Sequence, residues 1–561
     1  MKILTIWIIC KKKLKKIDKK TYLNNNSIYI GINNKMANIK KVPIVSEESR
    51  SGSTSDSVED LFNELLVEEI IHPGLILKDE YLLLIKIGYG NNAGVWMTYQ
   101  LSTKSFLAIK IQDYECYDDG CREIKIIKKI NEWSKGNKSV DTHCIKMLDF
   151  FVFEASPKLR FVCSVYELYA GSIHMLIASG KYKYGLPIPV VKNISKQLLR
   201  AVAFLHSNKA EIIHTDIKPE NILFKGTPKS HLKVVDIFNG SEFQKKYEQL
   251  KIKYAQNQNK FIQERDHLAL ESVNELQFIN ETFENHIDET DSDDDSDGSI
   301  IEGEDDFNES DESDDTSDNE SDESDESDES ESSGSTSEEP INTRKQSVPD
   351  YVSFMQYKKT ESIDHLYDFE TVLNNRENST DKTSVIDDTY VNNCKIILTD
   401  FGNSYFYKRR TEHEIQDRIY RSPEVILDFK YSYAADMWSV GCVIFELLTG
   451  FPLFNVLTEP LNKDIHHLFL MEKFLGPMPL VMKKKSKRSK FLFDSRKNYH
   501  IKNLDKINRM SIYNILIKQH LFSETHAKSI AEFLSTVLQY NPQKRATAEE
   551  MIKHPWLNST D

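Results

Sequence analysis

HTDIKPEN, residues 214–221, sits inside the longer stretch IIHTDIKPENILF, a polar loop held between two short apolar runs. Its pattern is that of the H-R-D-x-x-x-x-N loops used in phosphoryl transfer, with Thr215 in place of the Arg. In such a loop Asp216 is the base that orients a substrate hydroxyl. Lys218 reaches the γ-phosphate as charge shifts in the transition state, and Asn221 binds magnesium. His214 reads as a buried, hydrogen-bonding residue rather than a proton carrier. A loop of this kind needs a second metal-binding carboxylate, from a D-F-G a short strand later. The next candidate, KVVDIFNG at 233–240, lacks Gly in the right place, whereas KIILTDFGNS at 395–404 supplies Asp400, Phe401 and Gly402 after an apolar strand. The simplest reading is an insertion between two strands of one domain, over roughly 230–392, which makes Asp400 the metal-binding Asp and leaves Asp236 without a role.

Composition agrees with a divided chain. Its 561 residues, 39% of them hydrophobic, are enough for more than one ordinary domain. The net charge of −15 is unevenly spread: residues 288–339 hold 27 Asp and Glu and no Lys or Arg, so the remainder sums to −15 + 27 = +12, of which residues 1–60 supply +6. The acidic run, with its SDESDESDES repeat, is too polar to bury a core and is expected to be disordered. Seven cysteines (Cys10, Cys116, Cys121, Cys144, Cys163, Cys394, Cys442) lack C-x-x-C spacing, which argues against a zinc site or a disulfide framework and for a reducing compartment. The cytoplasm is the expected location, with the nucleus as a second. The opening MKILTIWIICKKKLKKIDKK has its apolar residues before its lysines and too few of them for a span of roughly 20 residues. It reads as a basic tail, and Met36 is an alternative start.

Upstream of the loop the chain reads as strands, then helices. YLLLIKIGYGNNAGVWMTYQ (81–100) and SFLAIKIQ (105–112) form a hairpin pattern with a further strand, and GCREIKIIKKI (120–130) places apolar residues at 124, 126, 127 and 130, which suits an amphipathic helix. Gly88, Gly90 and Val95 match G-x-G-x-x-G-x-V, with Ala93 at the third Gly position. Glycines there let backbone close over a triphosphate where a side chain would collide. Lys110, ending LAIK, and Glu123 on the candidate helix form the pair that would hold the α- and β-phosphates. Residues 190–208 continue as a helix leading into the loop.

Downstream, IQDRIYRSPEVI (415–426) resembles the end of an activation segment, with Ser422-Pro423-Glu424 in place of A-P-E. Asp436 opens the apolar helix DMWSVGCVIFELLTG and Arg545 lies in NPQKRATAEEMIKHPWL; the similarity of these stretches to protein kinases implies that Asp436 supports the loop backbone and that Arg545 pairs with Glu424. Taken together, HTDIKPEN, the split domain, IQDRIYRSPEV and KRATAEEMIKHPWLNS resemble the SR-protein kinases of the CMGC group, over about 70–230 and 393–561. HLFLMEKFLGPMP (467–479) is more similar to the LAMMER, or CDC-like, kinases.

The resemblance implies an α+β, bilobal eukaryotic-type protein kinase fold, with a β-rich N-lobe and an α-rich C-lobe split by a long acidic insert. The divisions are a basic, polar tail (1–68), the N-lobe (69–167), the first part of the C-lobe with the catalytic loop (168–230), a spacer (231–392) and the rest of the C-lobe (393–561). It implies ATP and Mg2+ as cofactors, with Asp216 and Lys218 catalytic and Asn221 and Asp400 on the metal. Nucleotide contacts would come from Ile87, Gly88, Gly90, Val95, Ala108, Lys110 and Glu123, and from Glu167 and Tyr169 at the hinge. Substrates would be protein serines and threonines, Arg/Ser-rich proteins among them, for a monomer that binds neither nucleic acid nor membrane directly.

Three departures bear on this picture. Where SR-protein kinases present acids to dock Arg-rich substrate, this chain has His466 and Lys473, with Asp464 and Glu472 close by. Asp417 occupies the place of a Thr that contacts the catalytic Asp, and a second carboxylate there needs neutralising, a task that falls to Lys218. Thr215 carries no charge to gather an activation-loop phosphate, and the nearby acceptors Ser404 and Thr411 lack the usual Arg partner, so the enzyme is expected to be constitutively active. Two other readings compete: a pseudokinase or scaffold that binds basic proteins through the acidic insert, and a nucleic-acid mimic built from the same run.

Overall fold

The computed structural model describes residues 70–276 and 391–559, apart from 91–92, 137–140, 157–158, 179–181, 392, 410–413, 457–461, 503–506 and 508, together with the backbone of three short strands near the start. Those strands, Lys19–Asn24, Ser27–Ile32 and Val42–Pro43, pair antiparallel within a first unit, Met1–Ile71, and were not foreseen in the tail. The acidic run 288–339 and Thr411 lie outside the described residues.

The second unit, His72–Asp561, opens with a six-stranded antiparallel sheet. Its strands are β1 (Ile76–Leu77), β2 (Tyr81–Gly90), β3 (Ala93–Gln100), β4 (Phe106–Gln112), β5 (Met147–Ser156) and β6 (Leu159–Tyr166), in the order β1-β2-β3-β4-β6-β5. Helix α1 (Tyr117–Gly136) buries Ile124, Ile126, Ile127 and Ile130, the stripe expected from sequence, against β5 and β6. Asp118 and Asp119 in its first turn complement the helix dipole. Beyond β6 the chain enters a helical lobe. Helix α2 (Ile188–His206) and helix α6 (Ala434–Thr449) form its centre; every residue of α6 from Ala435 to Thr449 is buried, as its nearly continuous apolar sequence requires. The β-rich and α-rich lobes are those of a bilobal kinase fold.

A second sheet joins the two halves of the chain. Strands β7 (Tyr169–Ser172), β8 (Ile222–Lys225) and β9 (Ile396–Leu398) lie in the order β7-β8-β9, with Ile222 opposite Leu398 and Phe224 opposite Ile396. The chain therefore leaves this sheet at the end of β8 and returns to it in the strand hydrogen-bonded to β8, as an insertion between neighbouring strands demands.

Residues 231–276, counted with the spacer in the sequence, belong to the folded body. Helices α3 (Lys229–Gly240), α4 (Phe243–Lys253) and α5 (Gln258–Val273) cover the outer face of the six-stranded sheet, where Val234, Phe238, Phe243, Leu268 and Val273 share a core with Leu82, Leu84, Met97 and Tyr99. Tyr99 packs on Phe106, Phe238 and Phe243, with ring centroids 5.0–6.1 Å away. Arg265 of α5 is buried and its guanidinium reaches Asp79 at 2.6 Å. Gly74 adopts a φ of +87°, and a Cβ there would lie 2.8 Å from Leu270 Cδ2 and 3.1 Å from its Cα. The helix rests too closely on the sheet edge for any side chain at that position. The KVVDIFNG stretch is thus helix, and Asp236 is exposed on α3.

Glu424 and Arg545 form the expected pair. Their side chains are 1% and 0% exposed, the guanidinium fork meets the carboxylate at 2.7 and 2.9 Å, and Arg545 also donates to the Gln539 carbonyl. Truncating the cation would leave a buried, unpaired carboxylate. Arg545→Ala is expected to lose about 3–5 kcal/mol of stability, read as a lower denaturant midpoint; an unchanged midpoint would contradict the burial of this pair.

Candidate active site

Lys110 lies in β4 opposite Val95 and Ser164, so its side chain emerges under the β2–β3 hairpin that carries Gly88 and Gly90. Its Nζ is 3.0 and 3.1 Å from the two Glu123 oxygens and 2.9 Å from Asp400 Oδ1. Burial alone would lower the lysine pKa, but Glu123 and Asp400 outweigh it and hold the ammonium charged. Burial likewise works to raise Asp400, and Lys110 more than offsets it, so this carboxylate sits below its ordinary range. Asp400 adopts φ +60°, an uncommon conformation for a non-glycine residue. Helix α1 holds the turn that follows: Glu123 Oε1 accepts from the Phe401 N–H at 3.3 Å, and Arg122 Nη2 donates to the Gly402 carbonyl at 3.1 Å. Arg122 was not singled out in the sequence, where nothing distinguishes it from the neighbouring lysines.

The loop 214–221 is fixed from below. Asp436, 1% exposed, accepts the backbone N–H groups of His214 and Thr215 at 2.8 Å each, and its Oδ2 is 2.9 Å from His206 Nε2. His214 is fully buried, with Nε2 2.9 Å from the Thr399 carbonyl, which suits an architectural residue. Asn221 Nδ2 donates to the Asp216 carbonyl at 2.8 Å and to its Oδ2 at 3.1 Å, leaving the amide oxygen available to a cation. The Thr399 N–H donates to the Asn221 carbonyl at 2.9 Å, which sets the residue before Asp400 beside the loop. Lys218 Nζ lies 3.0 Å from Asp417 Oδ2 and 3.6 Å from Asp216 Oδ1, so one lysine serves both carboxylates. Burial raises the Asp216 carboxyl, Lys218 and His214 oppose it, Asp400 and Asp417 add to it, and the net shift is upward.

Neutral hydrogen bonds stitch the loop to the segment after Gly402. Thr215, at φ +69°, donates from Oγ1 to the Asn403 carbonyl at 2.6 Å, and Ser404 Oγ donates to the His214 carbonyl at 2.9 Å. Ser404 is fully buried, so it is not an accessible modification site in this conformation, contrary to its place among the candidate acceptors. Farther along, buried Gln416 accepts from the Ser422 N–H and Oγ at 3.0 Å each and donates to Ser439 Oγ at 2.8 Å and the Ala435 carbonyl at 2.9 Å. Its role was missed because a single Gln carries no signal in sequence.

The remaining nucleotide-side candidates line up at the joint of the two sheets. Ala108 is buried opposite Met97 and Tyr166; Ile87 and Val95 are half-buried; Glu167 is exposed and Tyr169 half-buried where β6 gives way to β7. Leu168, between them, touches both hydrophobic cores and was not among the residues named from sequence. The acids of helix α7 (Lys463–Leu475), the helix that the resemblance would use for docking, are already paired: Asp464 with Arg418 and, at 2.6 Å, with Arg488, and Glu472 with Lys483 at 2.6 Å. His466 and Lys473 are both buried.

A family model described as the protein kinase domain matches residues 81–279 and 385–557, on either side of the insert. This chain belongs to the protein kinase family. The kinase is 46% identical over 515 residues to serine/threonine-protein kinase L205 of Acanthamoeba polyphaga mimivirus, a name that is itself provisional, covering 91% of this chain and 92% of that one. It is 28% identical to the serine/threonine-protein kinase SKY1 of Saccharomyces cerevisiae (86% and 74% covered) and 25% identical to SRSF protein kinase 3 of Mus musculus (86% and 87%). It is a serine/threonine-protein kinase, and its substrates are proteins.

Proposed function

We propose that this kinase transfers the γ-phosphate of ATP, with Mg2+, to serine or threonine of Arg/Ser-rich proteins, and that it does so without an activation-segment phosphate. The observation that carries the reading is the meeting of Lys110, Glu123 and Asp400 with Asp216, Lys218 and Asn221 across the joint of the two sheets. The donors fit the cation: the Asn221 amide oxygen and the Asp400 carboxylate are hard oxygen ligands, the set Mg2+ takes when substrate phosphates and water complete its shell. Bound there, the metal supplies charge neutralisation to the transferring phosphoryl group. Lys110, steadied by Glu123, takes the α- and β-phosphates. Asp216 orients the hydroxyl and receives its proton as the oxygen bonds to the γ-phosphorus and the bond to the departing ADP breaks. Its raised pKa makes it the better proton acceptor. Lys218 moves from Asp417 toward the transferring group as negative charge shifts.

Similarity to a protein named SRSF protein kinase 3 supports the substrate class. Because Asp464 and Glu472 are neutralised within the chain, recognition of Arg/Ser-rich substrate rests on the acceptor site rather than on α7. Magnesium-dependent transfer from ATP to an Arg/Ser peptide, absent with Arg/Ala, is the expected result, and no transfer to any serine or threonine peptide would defeat the reading.

Independence from phosphate is supported by the neutral hydrogen bonds of Thr215 to the Asn403 carbonyl and of Ser404 to the His214 carbonyl, which hold the start of the segment against the loop. Phosphatase-treated kinase, verified by mass spectrometry as unmodified, should keep most of its rate. A loss of about tenfold or more, roughly 1.4 kcal/mol in barrier height, restored by rephosphorylation at Thr411, would refute constitutive activity.

A further inference from the structure

Residues 480–500 carry a charge that the catalytic site does not use. They form two short helices, Leu480–Lys485 and Ser489–Leu492, and a pairing of Phe493–Asp494 with His500–Ile501. Eight Lys and Arg stand here against one acid, Asp494. The cations divide into two groups. One anchors the segment: Lys483 pairs with Glu472 and donates to the Tyr499 carbonyl at 3.1 Å, Arg488 pairs with Asp464 and donates to the Ile426 carbonyl at 3.1 Å, and Lys487 lies 3.3 Å from Asp428. Buried Ser486 adds a bond to the Leu427 carbonyl at 2.9 Å. The other group, Lys484, Lys485, Lys490, Arg496 and Lys497, is exposed on the backbone so fixed. Among the described residues its only carboxylate is Asp494, 4.0 Å from Arg496. Val481 and Phe491, 61% and 50% exposed, stand among these cations.

A dense patch of one sign on a firm backbone repels itself and attracts a polyanion. The same chain contains one, the 27 carboxylates of residues 288–339 with no basic residue among them. We propose that the basic surface at 484–497 is the docking site for this chain's own acidic run. Residues 340–390 separate the run from Val391 and span up to about 170 Å when extended, at about 3.3 Å per residue. That is enough to reach any face of the lobe. Tethering gives the run a local concentration that a free polyanion must exceed to compete.

Zero-length carbodiimide coupling of the full chain tests this, because it joins only a carboxylate and an amine already in contact. A mixture of isotopically heavy and light kinase, coupled at low salt and mapped by mass spectrometry, should show Lys484, Lys485, Lys490 and Lys497 joined to residues 288–339. These products should exceed those of the exposed Lys104, Lys246 and Lys518 by about tenfold and fall steeply near 1 M salt, where screening shortens to about 3 Å. They should be heavy–heavy or light–light. In the variant Lys484→Glu/Lys485→Glu/Lys490→Glu, coupling at Lys497 should drop by a similar factor while kinase activity persists. Products spread evenly over the exposed lysines, mixed heavy–light products marking contact between copies, or undiminished coupling at Lys497 in the variant would each overturn the proposal.

Discussion

Asp216→Asn and Asp400→Asn should each cost at least about 10³-fold in phosphotransfer, some 4 kcal/mol of barrier, with little change in unfolding midpoint. The amide preserves shape in both cases, and at Asp400, where φ is +60°, Asn tolerates the backbone conformation better than Ala would. At Asp216 the substitution removes the group that receives the hydroxyl proton, although the amide can still accept the Asn221 bond through its oxygen. At Asp400 it removes one of two candidate metal ligands and the partner that Lys110 reaches at 2.9 Å. Lys110 keeps Glu123 in that variant, so the fold should survive while nucleotide and metal are misplaced. Asp236→Ala, on the exposed side of α3, serves as the control and should be silent. Either active-site variant retaining more than a tenth of the rate, or a large loss from Asp236→Ala, would sink the assignment of the metal-binding Asp.

Much of this site was legible because its parts are short, local and ordered along the chain. The loop at 214–221 needs residues of fixed type at fixed spacing, and Asp400 follows an apolar strand that could be matched to Ile222–Lys225 without any structure. Glu424 and Arg545 were also legible, since RSPEVI and KRATAEEMIKHPWL are among the motifs that carry the kinase resemblance, and the resemblance implies that the two pair. What escaped depends on contacts between distant segments. KVVDIFNG is apolar at positions compatible with a strand or with one face of a helix, and its choice of helix is made by the sheet face beneath it, through Val234 and Phe238. The net charge of α7 gave no warning that Asp464 is consumed by Arg418 and Arg488 from two other segments. The burial of Ser404 comes from the His214 carbonyl 190 residues away, which no local pattern encodes.

The helices over the sheet lead to the last expected result, a sharp contrast between two deletions that look alike in sequence. Joining residue 228 to 393 shortens a connection between hydrogen-bonded strands and by loop entropy alone should be harmless. It also strips Val234, Phe238, Phe243, Leu268, Val273 and Leu276 from the outer face of the six-stranded sheet. At about 1.5–3 kcal/mol for each buried side chain, these six contribute roughly 10–20 kcal/mol as an upper estimate. That matches or exceeds the whole stability of an ordinary domain, about 5–15 kcal/mol. Leu82, Leu84, Met97 and Tyr99 would face water on the sheet that also carries Lys110. The protein lacking 229–392 should therefore aggregate or fail to bind nucleotide. Replacing only 277–390 with a Gly/Ser linker of about 20 residues, which reaches about 25 Å on average, leaves that cover in place and should keep both fold and phosphotransfer. The measurement is soluble yield, nucleotide binding and turnover of the two proteins side by side. A soluble, nucleotide-binding product from the longer deletion would show that α3 to α5 decorate the sheet rather than complete it, and an unfolded product from the shorter one would place part of 277–390 in the core.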